Sequence, residues 1–396
     1  MNIFTGLLSI IGVLAIAWLM SNKKKSVKWR TIGVGVLVEG LFVLFVLKVN
    51  AGKVMLEKAS AAVQNVINYS NEGIQFVFGG LYKETGLTFV FAINVLAVII
   101  FISALVSALY YMRIIPLIVQ VIGITIGKLM GTTKVETFNA VGNSFLGLAE
   151  APLLVKPYLK LLTRSEIFAI MVGGTASASG AILVGYSLMG IELKYLLISV
   201  FSVPFVSLVI AKVMEPETEV SQTNDKVKMK KTDHANIFEA IADGTVSGVM
   251  LALNIGGLLI AFISILAVVN GMLGFVGTDL SSILGYIFYP FALLVGIPTD
   301  EAFRAASIIG TKMSINEFVA FQNLTSIQAQ LSDKTVAILS VALCNFANFS
   351  SIGQLIIGLG SLEPTKRSQV SKLGLKAIIG GTLASFITAI FVGMFM

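Results

Sequence analysis

Long apolar stretches, each followed by a short basic segment, dominate the pattern along the chain. Residues 3–20 are apolar and long enough to cross a bilayer as a helix. Lysines and an arginine follow at once in residues 23–30, whereas no Lys or Arg precedes the stretch. A secretory signal peptide has the opposite charge order, so we expect a retained first span with its N terminus outside.

The same pattern predicts an all-α polytopic membrane protein with eight transmembrane helices and both termini outside. The predicted spans are residues 3–20, 31–49, 87–112, 166–190, 194–213, 247–275, 334–359 and 377–396. Glu39 lies within the second span, where it could relay protons or reach loop lysines. The longest polar stretch, residues 215–236, contains four lysines and separates two halves on the cytoplasmic side.

Other apolar or amphipathic segments are too short or too mixed to cross. We expect interfacial helices for most of them. These segments are residues 50–86 on the outer face, 113–131 on the cytoplasmic face, 237–246, and 280–296, which is either superficial or partly inserted. A covered extracellular loop remains an alternative for residues 50–86.

Two stretches are predicted to enter the membrane and turn back. Residues 135–160 (hairpin 1) have basic residues at both ends, and their prolines forbid one continuous helix. Residues 298–327 (hairpin 2) enter from the opposite face by the count of spans. A carboxylate such as Glu150 costs at least about 2.5 kcal/mol at membrane depth, so we expect it to face protein or water. Irregular backbone at that depth is tolerated where it lines a cavity.

The halves resemble each other weakly. GTTKVETFNA (131–140) is similar to GTKMSINEFVA (310–320), and each precedes a span broken by small polar residues, at 173–180 and 345–353. Because the hairpins enter from opposite faces, this predicts an inverted repeat around a midplane binding site, as in secondary transporters.

Composition supports a membrane protein and excludes several other classes. Hydrophobic residues make up 56% of the chain and charged residues only 12%, against about 25% in soluble domains. The net charge of +7 comes largely from loops beside apolar spans, so it indicates orientation in the bilayer rather than nucleic-acid binding. A single cysteine, Cys344, and a single histidine, His234, cannot build a disulfide, a metal cluster or a Cys–His nucleophile.

The polar groups of the broken segments indicate the solute. The carboxylates Glu150 and Glu317, with the amides Asn316 and Asn348, suit charge-assisted bonds to sugar hydroxyls. Phe346 offers a flat face to a ring. An anionic solute is disfavoured unless Lys156, Arg304 or Lys312 points inward. Two alternatives remain: a transporter or channel for another polar solute or ions, and a membrane-embedded enzyme using Glu150 and Glu317 as an acid/base pair without a nucleophile or metal set.

Three motifs in order resemble the concentrative nucleoside transporters: GLAEAPLLVKPYL (147–159), NEFVA (316–320) and CNFANFSSIG (344–353). The resemblance implies a homotrimer in the lipid bilayer of the cell membrane, in which a rigid scaffold holds a transport domain that moves like an elevator. It divides the chain into scaffold helices with an outer amphipathic segment (1–112), a first transport half (113–235), an interfacial helix with a long sixth span that also belongs to the scaffold (236–279), and a second transport half (280–396).

The resemblance also implies roles for single residues. Glu317, Asn348 and Ser351 would hold the ribose, and Phe346 would lie beside the substrate. Glu150 would contact the nucleobase. Leu148 and Ala149 occupy positions that are usually a Gln and a Ser or Thr, which suggests a different or broader base preference. A sodium ion would be held by the side chains of Asn143 and Ser177. The backbone carbonyls of Leu146 and Ala178 would complete the site. Oxygen ligands suit such a hard cation. Some members use protons instead, and Glu150 could serve that role.

Overall fold

The computed structural model describes residues 2–85, 90–148, 150–223 and 234–396, and within these ranges the regular elements are helices. The α-helices in the first half are α1 (Ile3–Leu19), α2 (Trp29–Lys48), α3 (Asn50–Thr85), α4 (Ala97–Tyr111), α5 (Ile114–Met130), α6 (Lys134–Gly142), α7 (Arg164–Ala176), α8 (Gly180–Leu188) and α9 (Leu193–Met214). Those in the second half are α10 (Ile237–Gly274), α11 (Leu280–Leu294), α12 (Thr299–Ser314), α13 (Glu317–Ile327), α14 (Asp333–Leu343), α15 (Ser350–Leu362) and α16 (Arg367–Phe395). Shorter helical pieces are the π-helix Ala92–Leu96 and the 3₁₀ segments Lys24–Ser26, Ala151–Leu161, Gln328–Gln330 and Pro364–Lys366. The predicted all-helical fold is therefore confirmed.

Side-chain caps start many of the helices where the sequence places a short polar residue. Each cap oxygen accepts a backbone N–H of the first turn, which satisfies a donor that the helix cannot pair itself. The caps of this kind in the described residues include Asn2, Thr163, Ser179, Asn236, Asp279, Asn316 and Ser332. Three of them, Ser179, Asn316 and Ser332, begin helices within the broken or re-entrant segments, so these breaks are encoded locally.

Six helices or joined helices of the described chain are long and apolar enough to cross a membrane. They are Trp29–Lys48, Ala92–Tyr111, Arg164–Leu188, Leu193–Met214, Ile237–Gly274 and Pro364–Phe395. The apolar α1 has 17 residues, and the predicted seventh span consists of the two shorter helices α14 and α15. The chain is thus a multi-span membrane protein, whereas the count of eight spans and the membrane side of each hairpin stay predictions.

Helix α10 differs most in length from the helices that the sequence predicts. A surface helix at 237–246 and a span interrupted at Asn254, Gly256, Gly257 and Asn270 were expected, but one continuous helix of 38 residues is observed. Gly and Asn weaken a helix without removing a hydrogen bond, and this stretch contains no proline, so nothing forces a break. Likewise α16 begins at Arg367, ten residues before the predicted start at 377.

Helix packing gathers the chain into two groups. Helix α10 packs mainly along α4, and a Cβ at Gly248 would lie 2.7 Å from the Ile100 Cα, so the two backbones approach closely there. Helices α7, α9, α14 and α16 pack on one another, and α1 and α2 lie against α9 and α16. The predicted scaffold of residues 1–112 stays a prediction, and the packing places its helices in both groups.

Glu39 illustrates how α2 joins the second group. Its side chain is buried, and its Oε1 accepts a 2.9 Å hydrogen bond from the Thr388 hydroxyl of α16. This contact lies within the helix bundle. The bond therefore links two helices in apolar surroundings, where a hydrogen bond has no competing water.

A polar junction fixes the end of α9 beside the start of α7. Glu215 accepts hydrogen bonds from Asn22 at 2.6 Å, from Arg164 at 3.1 Å and from Lys376 at 2.7 Å. Burial by itself would raise the pKa of the Glu215 carboxyl, but the bonds from Arg164 and Lys376 outweigh it and hold that pKa below its usual value. The ionised carboxylate therefore ties α9 to α7, α16 and the α1–α2 connection.

The chain doubles back in both predicted hairpins, while their entry into the membrane stays a prediction. Hairpin 1 consists of α6 and the 3₁₀ segment Ala151–Leu161, and hairpin 2 consists of α12 and α13 with a turn at Ile315 and Asn316. The base of hairpin 1 is anchored by Glu136, whose Oε2 lies 2.5 Å from Lys212 Nζ on α9. Every residue of α6 after Lys134 is buried, so protein encloses this arm of hairpin 1.

Candidate substrate-binding site

The hairpin tips meet two broken helices. The first broken helix is α7 and α8, interrupted at residues 177–179, and the second is α14 and α15, interrupted at residues 344–349. The predicted breaks within 173–180 and 345–353 are thereby confirmed. Small residues in the first break and local Asn side chains in the second let the backbone leave the helix.

Backbone hydrogen bonds join these four pieces into one unit. The Phe346 N–H donates to the Ser177 carbonyl at 3.0 Å, which connects the two breaks directly. The Gly180 N–H donates to the Phe145 carbonyl at 3.4 Å, and the Phe349 N–H donates to the Met313 carbonyl at 3.1 Å. Each break is thus bonded to its own hairpin and to the other break, so groups distant in sequence face one cavity.

That cavity has a volume of about 480 Å³. Its walls come from hairpin 1, the first break, α10, the start of α13 and the second broken helix. The predicted substrate residues that line it are Leu148, Glu150, Glu317, Phe346, Asn348 and Ser351. Ala149 lies outside the described residues. The sequence therefore identified residues that the fold brings together from three separate segments.

One part of the cavity lining is a row of polar groups bonded to one another. Asn348 Nδ2 donates to Glu317 Oε2 at 3.0 Å, while Asn348 Oδ1 accepts from the Ser350 hydroxyl at 2.6 Å. The Ser351 hydroxyl donates to the Phe346 carbonyl at 2.5 Å and contacts Asn348 Oδ1 at 3.2 Å. Glu317 is only 5% exposed, so little water competes for it. A carboxylate held in this way can accept hydrogen bonds from two hydroxyl groups of a sugar.

Another part of the cavity lining is apolar and includes Leu148, Ile182 and Leu251. A Cβ at Gly174 would lie 3.0 Å from Leu148 Cδ1, so Leu148 packs tightly on the backbone of α7. Glu150 is the second carboxylate of the lining, and its Oε2 accepts the Gly147 N–H at 3.2 Å. The apolar side chains offer hydrophobic surface for a flat ring.

Four polar lining residues were not identified as site residues by sequence analysis: Ser179, Asn254, Ser350 and Gln354. Gln354 follows Ser350 and Ser351 by one turn on α15, and this i+3/i+4 spacing could have revealed it. Asn254 lines the cavity from α10 beside Ile255. No sequence signal connects α10 with the hairpins, because that contact depends on tertiary packing.

The predicted ion ligands lie in the hairpin 1 tip and in the first break. Asn143 is fully buried, and its Nδ2 donates to the Asn139 carbonyl at 2.9 Å and the Asn139 Oδ1 at 3.0 Å. Asn143 Oδ1 has no hydrogen-bond partner among the described residues. The other predicted ligands, Leu146, Ser177 and Ala178, are also buried at this tip and in the first break. A buried amide oxygen without a donor is costly unless a cation or proton satisfies it, so the site fits a small cation.

A second cavity of about 450 Å³ adjoins the first. Glu150, Ser179 and Leu251 line both. The second cavity is also lined by Lys156 and by Asp243, whose Oδ2 lies 3.0 Å from His234 Nε2. The second cavity lies beside His234 and Asp243, at the end of the polar stretch between the two halves. It therefore extends from the first cavity toward that polar stretch.

None of the three basic residues considered for binding an anion lines the first cavity. Lys156 lines the second cavity, Arg304 is exposed, and Lys312 is buried with its amine bonded to Asn345. The described lining contains two carboxylates, Glu150 and Glu317, and no basic residue, so it disfavours an anionic solute.

Comparison with known proteins agrees with this geometry. The models of the Na+ dependent nucleoside transporter N-terminus and C-terminus match residues 8–81 and 195–393, and a nucleoside recognition (Gate) model matches residues 92–193. The nucleoside permease NupC of Helicobacter pylori is 41% identical over 414 residues, covering 100% of this chain and 99% of NupC.

Solved structures give the same result. CNTnw in an inward-facing substrate-bound state aligns with a TM-score of 0.95 at 40% identity, covering 99% of each chain. A CNTnw variant in an intermediate state aligns with a TM-score of 0.96 at 40% identity, covering 100% of each. These relatives are permeases and transporters rather than enzymes. The chain therefore belongs to the concentrative nucleoside transporter family and is a membrane-spanning nucleoside transporter.

Proposed function

We propose that this chain imports nucleosides by symport with sodium, through an elevator-type movement of a transport domain. The observation that carries the proposal is the pairing of two sites at the tip of hairpin 1. Gly147, Leu148 and Glu150 of this tip line the cavity that contains the Glu317–Asn348 row, and Asn143, with its unpartnered Oδ1, begins the same tip. An event at either site affects the same tip.

The nucleoside would lie with its ribose at the polar row and its base at the apolar part of the lining. Glu317 would accept hydrogen bonds from the ribose hydroxyls, and Asn348 and Ser351 would supply further polar contacts. Phe346 would pack beside the sugar, and Leu148, Ala149 and Glu150 would contact the base. Because Glu317 and Asn348 are already bonded to each other, little ordering is needed when the substrate binds.

Sodium would be held by the side-chain oxygens of Asn143 and Ser177 and the carbonyls of Leu146 and Ala178. The ion would supply a positive charge that satisfies the buried oxygens. The Ser177 carbonyl already accepts the Phe346 N–H, so ordering of the first break would be transmitted to the substrate cavity through a single hydrogen bond. Coupling between two ligands is reciprocal, so nucleoside would also raise the affinity for sodium.

Helix packing supports a moving unit. The hairpins and broken helices are bonded to one another and pack with α9 and α16, whereas α10 packs mainly on α4. We assign α4 and α10 to the scaffold and place α1 and α2, which pack on α9 and α16, with the transport domain. A homotrimer in the cell membrane with both termini outside remains part of the proposal.

Uptake by the reconstituted protein tests the coupling. We expect a sodium gradient to increase uptake of labelled uridine, cytidine or adenosine about tenfold or more over choline, in the range of ordinary ligand coupling. Equal uptake in choline would contradict sodium symport. Uptake driven instead by an inward proton gradient would support the proton-coupled alternative, in which Glu150, which lines both cavities, carries the proton.

The apolar wall at Leu148 predicts weak discrimination between bases. Leu148→Gln is expected to lower the KM for uridine relative to adenosine by up to about tenfold, because it supplies an amide to the polar edge of the smaller base. The KM ratio for the two nucleosides is the measurement. Leu153→Gln, at an exposed residue of the second cavity, is the control. An unchanged ratio in Leu148→Gln would place the base away from this wall.

A further inference from the structure

Lys312 is a buried lysine that neither the sequence motifs nor the proposed mechanism explains. It lies on α12 of hairpin 2, two residues before the end of that helix, and is only 1% exposed. Lysine is almost never fully buried without a partner, because desolvating an ammonium is expensive. Its amine donates to Asn345 Oδ1, in the break of the second broken helix.

Asn345 shapes that break. Its Oδ1 also accepts the Ala347 N–H at 3.0 Å, and its Nδ2 donates to the Ala342 carbonyl at 2.8 Å. Asn345 thereby replaces helical hydrogen bonds on both sides of the bend. The Lys312 amine is bonded to the same oxygen, so it attaches the bend to hairpin 2.

The bend also carries the polar row of the cavity. Asn348 follows Asn345 by three residues and donates to Glu317, which begins α13 just beyond the tip of hairpin 2. Lys312 does not line the cavity, but its partner Asn345 belongs to the same break as Asn348, which is bonded to Glu317. The Lys312 amine therefore supports the bend that positions Asn348 beside Glu317.

The two hairpins differ in the source of the positive charge beside each broken helix. At hairpin 1, the buried Asn143 Oδ1 has no partner among the described residues. At hairpin 2, the corresponding support for the break comes from a side chain of the chain itself. We propose that Lys312 is a tethered cation that positions the second broken helix for substrate, so that this break needs no ion from solution. The substrate part of the inference rests on the proposed placement of the ribose at Glu317 and Asn348.

Lys312 is thus a positioning residue, and its replacement should change nucleoside affinity. The test measures nucleoside KM and maximal rate at saturating sodium in Lys312→Met, Asn345→Ala and the double variant. We expect each single variant to raise the KM about tenfold, a typical effect for one lost polar interaction. The double variant should be no worse than Asn345→Ala alone, because Asn345→Ala already removes the bond that Lys312→Met removes, in addition to the two bonds within the bend. Multiplied losses, or a lower maximal rate with an unchanged KM, would overturn the proposal.

Two further variants separate charge from hydrogen bonding. Lys312→Gln can still donate to Asn345 but carries no charge, and it is expected to raise the KM as Lys312→Met does. Lys312→Arg keeps the charge and should lie closer to the unaltered protein. A Lys312→Gln variant with unaltered KM would show that charge is dispensable and would overturn the tethered cation, even if Lys312→Met is not recovered in the membrane.

The outcome can be distinguished from failure of the proposed function. If sodium proves irrelevant to the unaltered protein, the coupling proposal fails, but the comparison of KM values remains valid. If Glu317→Gln leaves the KM unchanged, the ribose placement fails, whereas non-additivity of Lys312→Met and Asn345→Ala still reports whether the two residues act together.

Discussion

Glu317→Gln is expected to lower uridine uptake at subsaturating concentration by about a hundredfold or more, because hydrogen bonds to a charged group contribute about 1.5–3 kcal/mol each and two ribose hydroxyls are affected. The charged acceptor is lost while the shape of the side chain is kept. Labelled uridine uptake into proteoliposomes, at matched protein content and saturating sodium, is the measurement.

A second consequence makes this result specific. Asn348 donates to Glu317 Oε2, and the amide of a Gln can present either an oxygen or an NH₂ group to it. Asn348 would therefore lose a charge-assisted bond, and its contact with the sugar would be less well fixed. Because the substitution weakens binding of the nucleoside in the ground state, we expect mainly a higher KM and a smaller change in the maximal rate.

The matched control is Glu57→Gln, which removes a carboxylate from an exposed position on α3. We expect it to transport at the unaltered rate. If Glu317→Gln transported uridine as well as this control, the ribose could not lie at the Glu317–Asn348 row, and the orientation of the nucleoside in the cavity would have to be reversed.

The residues of the cavity were predictable because their cost is visible in the sequence. Glu150, Glu317 and Asn348 are polar groups within apolar stretches, and Pro152 and Pro157 forbid a continuous helix around the first of them. Local chemistry of this kind determines where a helix must break. The structure accordingly has both hairpins and both broken helices at the predicted places.

The wall formed by α10 was not predictable in the same way. Asn254 and Ile255 reach the cavity because α10 lies beside it, and helix packing depends on surface shape along the whole helix rather than on a local motif. The same reason explains why α1 and α2 were grouped by position in the chain but pack on α9 and α16. Lys312 could be recognised as charged, but only the fold shows that its partner is Asn345.

Asn143→Ala is expected to raise the half-saturating sodium concentration about tenfold or more, since removal of one buried ligand oxygen costs at least about 1.4 kcal/mol of ion binding. Maximal uptake at saturating sodium should fall less, because excess ion restores occupancy of the weakened site. The measurement is the sodium dependence of uridine uptake at fixed membrane potential.

The structural reason is the orphaned oxygen. Asn143 Nδ2 is already bonded to Asn139, so the Oδ1 is the atom of this side chain that remains for an ion. Asn68→Ala, an exposed amide on α3, should leave the sodium dependence unchanged. Equal loss of sodium affinity and maximal rate in Asn143→Ala would instead indicate a damaged hairpin 1 tip. Because Ser177 lies in the break that is bonded to Phe346, a true ion site also requires that the variant bind uridine more weakly at low sodium and nearly normally at high sodium.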